Sequence, residues 1–111
     1  LKLNNDAPAD LFVREAEGLQ ALSLAGGPRV PGVYLVDSIF LLMEDLAPGQ
    51  RNKDFWQLLG SQLAMMHQCV SPQFGFLHDK YIWSTPQPIY CEDDGFSFVA
   101  HHRLLFQARL A

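Results

Sequence analysis

The stretch from Phe74 to Pro88 sets the tightest limit on what this chain can fold into. It places Phe74, Phe76, Tyr81 and Trp83 among Gly75, Asp79, Ser84, Thr85, Pro86 and Pro88. Proline and glycine at these positions exclude a continuous helix or a central strand. Four large rings equally exclude a solvated linker. The backbone has to turn repeatedly while the rings stay partly buried, which is the character of ordered loops that carry function or pin two elements together. We assign this loop to residues 71–92.

The rest of the chain divides into short regular elements. Leu1 to Leu3 alternates apolar and charged residues, as a strand does. Asp6-Ala7-Pro8 opens a helix expected to run to about Ala25, where Gly26-Gly27-Pro28 stops it. Val33–Val36 and Ile39–Glu44 read as two short strands joined around Asp37-Ser38. A second helix is expected from Lys53 to Cys69, capped by Asn52 or Asp54, with Phe55, Leu59, Leu63, Met66 and Val70 as a core stripe. His67 lies at the margin of that stripe and reads as a core histidine, and Met65 and Met66 read as packing residues. A third helix starts near Asp93 or Gly95 and runs to the end. Leu1 falls inside a strand-like alternation, and Arg109-Leu110-Ala111 carries no helix stop, so the chain reads as a segment of something longer.

One charge in the first helix is out of place. At 100° per residue from Phe12, Leu19 and Leu22 fall at about −20° and −80°, and Glu15 at about −60° lies between them. Glu17, at about 140°, falls on the opposite face. Glu15 is therefore expected to point inward and Glu17 outward. An inward carboxylate needs a partner unless it reaches water at the edge of the stripe, and Lys2 is the one cation on the preceding strand. A strand lysine, a helix glutamate and two further strands form the arrangement by which kinase-like folds hold the phosphates of ATP. The strand ending at Met43-Glu44-Asp45 would lead into a hinge whose backbone groups meet the adenine edge.

The bulk composition agrees with a small globular unit. The chain has 111 residues, 49% of them hydrophobic, and a formal charge of −4, which argues against a nucleic-acid footprint. No apolar run approaches the length needed to span a membrane. Cys69 and Cys91 form neither a disulfide framework nor a metal spacing, so a reducing cytoplasm is expected.

Read in order, Phe12-x-x-Glu15-Ala16-Glu17-Gly18-Leu19-x-x-Leu22, Arg29-Val30-Pro31, Phe40-Leu41-Leu42-Met43-Glu44 and Phe55-Trp56-x-x-Leu59-Gly60-x-x-Leu63-Ala64-x-x-His67 form one series. It continues through Phe74-Gly75-Phe76, Asp79-x-Tyr81-Ile82-x-Ser84-Thr85-Pro86-Gln87 and Phe98-x-x-x-His102-Arg103-Leu104-x-x-Gln107. The series resembles the fructosamine kinase (ketosamine-3-kinase) family, relatives of aminoglycoside phosphotransferases. The resemblance implies an α+β, protein-kinase-like fold, with residues 1–46 as a partial N-lobe and residues 47–111 as the start of a helical C-lobe. It further implies an ATP- and Mg²⁺-dependent kinase that phosphorylates the sugar of glycated amines or proteins and so acts in their deglycation. Lys2 and Glu15 would hold the phosphates, and Met43, Glu44 and Asp45 the adenine. Asp79, Tyr81 and Gln87 would belong to the substrate-side loop.

Three residues depart from the family pattern. Lys80 stands where the family usually has Asn, Trp83 where it has Gly, and Ile89 where it often has Asn. Trp83 is expected to forbid a positive φ in its turn and to force the loop to repack. The chain also contains no H-G-D-x-x-x-x-N pattern and no following metal-binding Asp. His78-Asp79 does not supply one, because Ser84 occupies the place of the Asn. Asp94-Gly95-Phe96 has the wrong order for D-F-G and is expected to cap a helix instead. A hydrolase triad of Ser71, His67 and Asp79 lacks a nucleophile elbow. No catalytic base or metal ligand is therefore assigned, and these 111 residues are expected not to catalyse phosphoryl transfer by themselves. The alternative is a non-catalytic, kinase-like interaction or nucleotide-binding module, with exposed apolar faces that favour self-association.

Overall fold

A computed structural model describes all 111 residues, Leu1–Ala111, as two compact units, Leu1–Val70 and Ser71–Ala111.

The first unit is built on a three-stranded antiparallel sheet of order β1-β3-β2. β1 is Lys2–Leu3, β2 is Val33–Val36 and β3 is Phe40–Met43. The central strand Phe-Leu-Leu-Met is uniformly apolar and paired on both edges, with Leu41 buried and Leu42 exposed. The β1–β3 register sets Lys2 opposite Leu41 and Leu3 opposite Phe40. Asp37 and Ser38 close the β2–β3 connection: the Asp37 amide donates to the Phe40 carbonyl, and Asp37 Oδ1 accepts from Ser38. β2 slips register between Val33 and Leu35, leaving Tyr34 as the extra residue of a bulge.

Helix α1 spans Leu11–Leu22, shorter at both ends than the expected 6–25. Its start is delayed by a turn in which the Leu11 amide donates to the Pro8 carbonyl. Beyond its end, Gly26 has φ 77°. That left-handed conformation suits glycine, and a Cβ here would also collide with Met65. α1 buries Phe12 at 3% exposure, and Leu41 of β3 is fully buried.

Helix α2 spans Phe55–His67, inside the expected 53–69. The Asp54 side chain makes no capping hydrogen bond; instead Asn52 Oδ1 accepts from the Asp54 amide. Phe55, Leu59 and Met66 are half-buried as the spacing predicted, yet no residue of α2 is buried and Val70 is 89% exposed. His67 is exposed rather than in a core. Met65 and Met66 do pack, against the Gly26-Gly27 turn.

The second unit shows structure inside the expected loop. β4, Lys80–Ile82, pairs antiparallel with β5, Thr85–Gln87. The two-residue turn places Trp83 at φ 59°. Contrary to the sequence expectation, the tryptophan adopts the left-handed conformation, and its ring is 92% exposed. The Trp83 side chain stands outside the hairpin. Phe74 and Glu92 exchange backbone hydrogen bonds of 2.9 Å at the base of the segment. Gly75, at φ 131°, allows this approach, since a Cβ there would lie 2.9 Å from the Tyr90 carbonyl oxygen.

The final helix is continuous from Gly95 to Leu110 but changes pitch. α3, Gly95–Phe98, runs into a π-helical segment, Val99–Leu105, and then into α4, Phe106–Leu110. The wide π turn was not expected from the sequence. Leu41 organises the first unit, so Leu41→Ala should lower its unfolding free energy by roughly 2–5 kcal/mol, as cavity-forming truncations do. Urea denaturation followed by circular dichroism measures this.

Candidate functional site

Directly opposed residues of an antiparallel pair point to the same face of a sheet. The register Lys2↔Leu41 therefore sends Lys2 to the face that Leu41 buries. Glu15 projects from α1, which packs on this sheet, and its Oε1 accepts a hydrogen bond from Lys2 Nζ. The carboxylate and its expected cation meet, although Glu15 lies at the edge of the stripe and keeps 30% of its side chain exposed. The pair is 54% and 30% exposed at its two side chains, so it stabilises the fold by at most about 1 kcal/mol. Its consequence is positional: a flexible lysine is held at a fixed point beside the sheet.

Glu17 is not on a solvated face. Its side chain is 29% exposed and accepts from Arg14 at 2.7 Å, while Arg14 also donates to Asp10 at 3.1 Å. The hydrogen bonds to Asp10 first, and to Glu17 second, push the Arg14 pKa up. The helical wheel considered the sheet as the only neighbour of α1. The returning segment Val30–Val33 covers a second side, and Val13, Ala16, Glu17 and Gln20 line an open groove of about 480 Å³ with it.

At the end of β3, the Glu44 amide donates to the Gly32 carbonyl at 2.8 Å. The Glu44 carboxylate accepts from Arg29 and from the Gly32 amide. Asp45 Oδ1 accepts from the Ala47 amide at 2.9 Å, in a tight turn that holds Ala47 at φ 47°. Met43 is half-buried. The sequence reading gave the side chains of Met43, Glu44 and Asp45 no task. In the structure both acids brace the strand end, and Arg29, which that reading did not select, is the partner of Glu44.

The substrate-side residues serve the second unit itself. Asp79 Oδ1 accepts from the Ile89 amide at 2.9 Å, and Ile89 is 5% exposed. Gln87 is fully buried, and its Nε2 donates to the His102 carbonyl at 2.8 Å. Tyr81 is half-buried and lies opposite Pro86 in the hairpin. His102 is the hub: its Nε2 lies 2.7 Å from Glu92 Oε1, and its ring stands 5.4 Å from the rings of both Tyr90 and Phe98. A π turn displaces backbone from ordinary helical positions and recurs at functional sites; here it contains His101 and His102. Glu92 and His102 were missed because nothing in their local spacing announces a contact between the segment before the last helix and its π turn.

No set of three or more His, Cys, Asp or Glu side chains converges to hold a metal ion. The donor chemistry for a phosphate is present at Lys2, whose side chain is half-exposed and whose Nζ is held by Glu15. Asp94 accepts from the Phe96 and Ser97 amides, at 3.4 and 2.8 Å, and caps the last helix as expected.

A strand lysine held by a helix glutamate over an antiparallel sheet defines a kinase-like arrangement, and comparison with known proteins agrees. The family profile for fructosamine kinase matches residues 1–111. A Synechocystis sp. protein named as a ketoamine kinase is 38% identical over 116 aligned residues, covering 100% of this chain and 39% of that protein. A rice protein named protein-ribulosamine 3-kinase, chloroplastic, is 35% identical, covering 99% of this chain and 34% of its own length. A solved Thermobifida fusca structure, named as a fructosamine-3-kinase, superposes with TM-score 0.83 at 34% identity, over 95% of this chain and 37% of that one. A Haemophilus somnus structure superposes with TM-score 0.85 at 22% identity, covering 97% and 38%, and bears on the fold alone. The chain belongs to the fructosamine kinase family. It spans about two fifths of the length of the relatives it matches.

The Asp94 cap gives a pH prediction. Hydrogen bonds from Ser97 first, then Phe96, hold its pKa below the ordinary aspartate range. A lowered folded pKa stabilises the fold above the unfolded value, and that contribution is lost as pH falls through the folded one. Asp94→Ala should therefore be less stable than the parent chain at pH 6. The difference should shrink as pH falls below the unfolded aspartate value and through the lowered folded one. Denaturation curves across this range measure it.

Proposed function

We propose that this chain forms the nucleotide-binding part of an ATP-dependent kinase that phosphorylates the sugar of glycated amines or proteins. The single observation that carries the reading is the Lys2–Glu15 pair on the buried face of the sheet. In this reading residues 1–46 belong to an N-lobe and residues 47–111 begin a helical C-lobe, as in protein-kinase-like folds. Lys2 contacts the α- and β-phosphates of ATP, and Glu15 orients it. The free edge beyond Met43, Glu44 and Asp45 receives the adenine through backbone groups; the Glu44 amide is already taken by Gly32, which leaves its neighbours for that task. Asp79 and Gln87 shape the substrate-side loop from within, and Tyr81 is its outward member. Mg²⁺ ligands and the base that accepts the sugar hydroxyl proton come from residues other than these. The names of the relatives, ketoamine kinase and ribulosamine 3-kinase, support the substrate class. Both cysteines are free, in keeping with a reducing cytoplasm, and no helix is long and apolar enough to cross a membrane.

One observation favours a second reading, a non-catalytic module that associates through apolar surface. α2 buries none of its residues and exposes Trp56, Leu58 and Met65 at 65%, 56% and 50%. Thermal denaturation with and without Mg·ATP, alongside size-exclusion chromatography, separates the two. The kinase reading expects a monomer stabilised by about 1.4 kcal/mol at ten times the Kd, with the gain lost in Lys2→Met. An oligomer indifferent to ATP would favour the module.

A further inference from the structure

β3 is held at its end by a side chain, where the ladder stops. β2 begins at Val33, and the segment before it, Arg29-Val30-Pro31-Gly32, includes a proline with no N–H to offer a strand. Glu44 makes the last connection across to it. Its amide donates to the Gly32 carbonyl at 2.8 Å, its Oε2 accepts from the Gly32 amide at 3.3 Å, and its Oε1 accepts from the Arg29 guanidinium. With Oε1 engaged by Arg29, Oε2 is turned to Gly32, so the cation fixes the orientation that closes the second bond. On the far side, Asp45 Oδ1 accepts from the Ala47 amide at 2.9 Å, in the turn that holds Ala47 at φ 47°. The peptide groups from Met43 to Asp45 are therefore fixed from both sides. Arg29 is 72% exposed and Glu44 27%. A pair this open adds little to stability; its effect is on direction.

These residues and Lys2 belong to the same unit, Leu1–Val70, and β3 relates them. Alternation along the strand sets Glu44 on the face of exposed Leu42, opposite the face that Leu41 and Lys2 share. Arg29 thus stands apart from the phosphate lysine and acts on a nucleotide only through the backbone that Glu44 holds. Glu44 lies three residues along β3 from Leu41, the partner of Lys2, or about 10 Å at roughly 3.4 Å per residue. An extended nucleotide with its phosphates on Lys2 covers that span and brings its base to the strand end. Each peptide there offers one donor and one acceptor. Adenine presents an amino donor beside a ring-nitrogen acceptor, and guanine a carbonyl acceptor beside a ring N–H donor. Peptide groups fixed in direction match one order and oppose the other; groups free to turn match both.

We infer that Arg29 is a positioning residue for the base: acting through Glu44, it fixes the strand-end peptides in the direction that takes adenine and rejects guanine. This rests on the proposed nucleotide site and adds to it the residue that sets base selectivity. Arg29 itself touches neither base nor phosphate.

Titration calorimetry of the 111-residue chain with Mg·ATP and with Mg·GTP reads this as a ratio of affinities. The parent chain should prefer ATP. Arg29→Ala should weaken ATP by roughly three- to fivefold, the limit of an exposed ion pair, with GTP unchanged, so the preference falls by the same factor. Glu44→Gln should do the same, the double variant should be no worse than either, and Arg29→Lys should keep most of the preference. Lys2→Met should weaken both nucleotides and leave the ratio intact. ATP and GTP weakened together in Arg29→Ala would make the arginine a structural support alone and overturn the inference, as would an unchanged ratio. In both cases a parent chain that binds Mg·ATP through Lys2 leaves the kinase reading standing. A parent chain that binds neither nucleotide overturns both.

Discussion

The antiparallel register between β1 and β3 is the constraint on which the rest of the first unit depends. Lys2 opposes Leu41, so one face carries both the most deeply buried leucine of the sheet and the lysine of the candidate phosphate site. A slip of one residue would send Lys2 to the face opposite Leu41, away from α1. Burial of Leu41 beneath the helix that buries Phe12 is worth more than the exposed ion pair can be, by the magnitudes of core truncation and surface salt bridges. Packing therefore fixes which face of β3 meets α1, and the β1–β3 register carries Lys2 to that face, where it meets Glu15. A weak interaction is placed accurately because a strong one fixes its frame.

The second unit follows the same logic with a polar centre. Gln87 is fully buried and bonds the His102 carbonyl, while the His102 ring pairs with Glu92. Glu92 in turn closes a backbone bridge to Phe74. The hairpin, the base of the aromatic segment and the π turn are thus joined through one histidine. Leaving a buried amide without its partner costs more than forming the bond gains, so this connection favours one arrangement of the hairpin over its alternatives.

How much of this was legible depends on how local each signal is. The Glu15 position followed from helical periodicity alone, and its partner from there being a single cation on the preceding strand. Periodicity failed for Glu17, because a helical wheel does not show the ion pair by which Arg14, on the same helix, draws its carboxylate in. It failed for His67 because a stripe at helical spacing shows which face is apolar, not whether anything packs on it. The β4–β5 hairpin was hidden by Pro86 and by Trp83, where a glycine would have announced a two-residue turn. Asp94 was recognised as a cap because capping is confined to three residues. The π turn and the Glu92–His102 contact carry no local signature. Of the site residues, Lys2 and Glu15 were found together; the bracing of Glu44 by Arg29, and the internal use of Asp79 and Gln87, required the three-dimensional arrangement.

The central claim is that Glu15 acts on nucleotide through Lys2. A double-mutant cycle on Mg·ATP affinity, comparing the parent chain with Lys2→Met, Glu15→Gln and the double variant by calorimetry, tests it directly. The account predicts that each single change weakens binding and that the double variant binds no worse than Lys2→Met, because the glutamate has no other route to the phosphates. Losses that simply add, or affinity untouched by Lys2→Met, would contradict it.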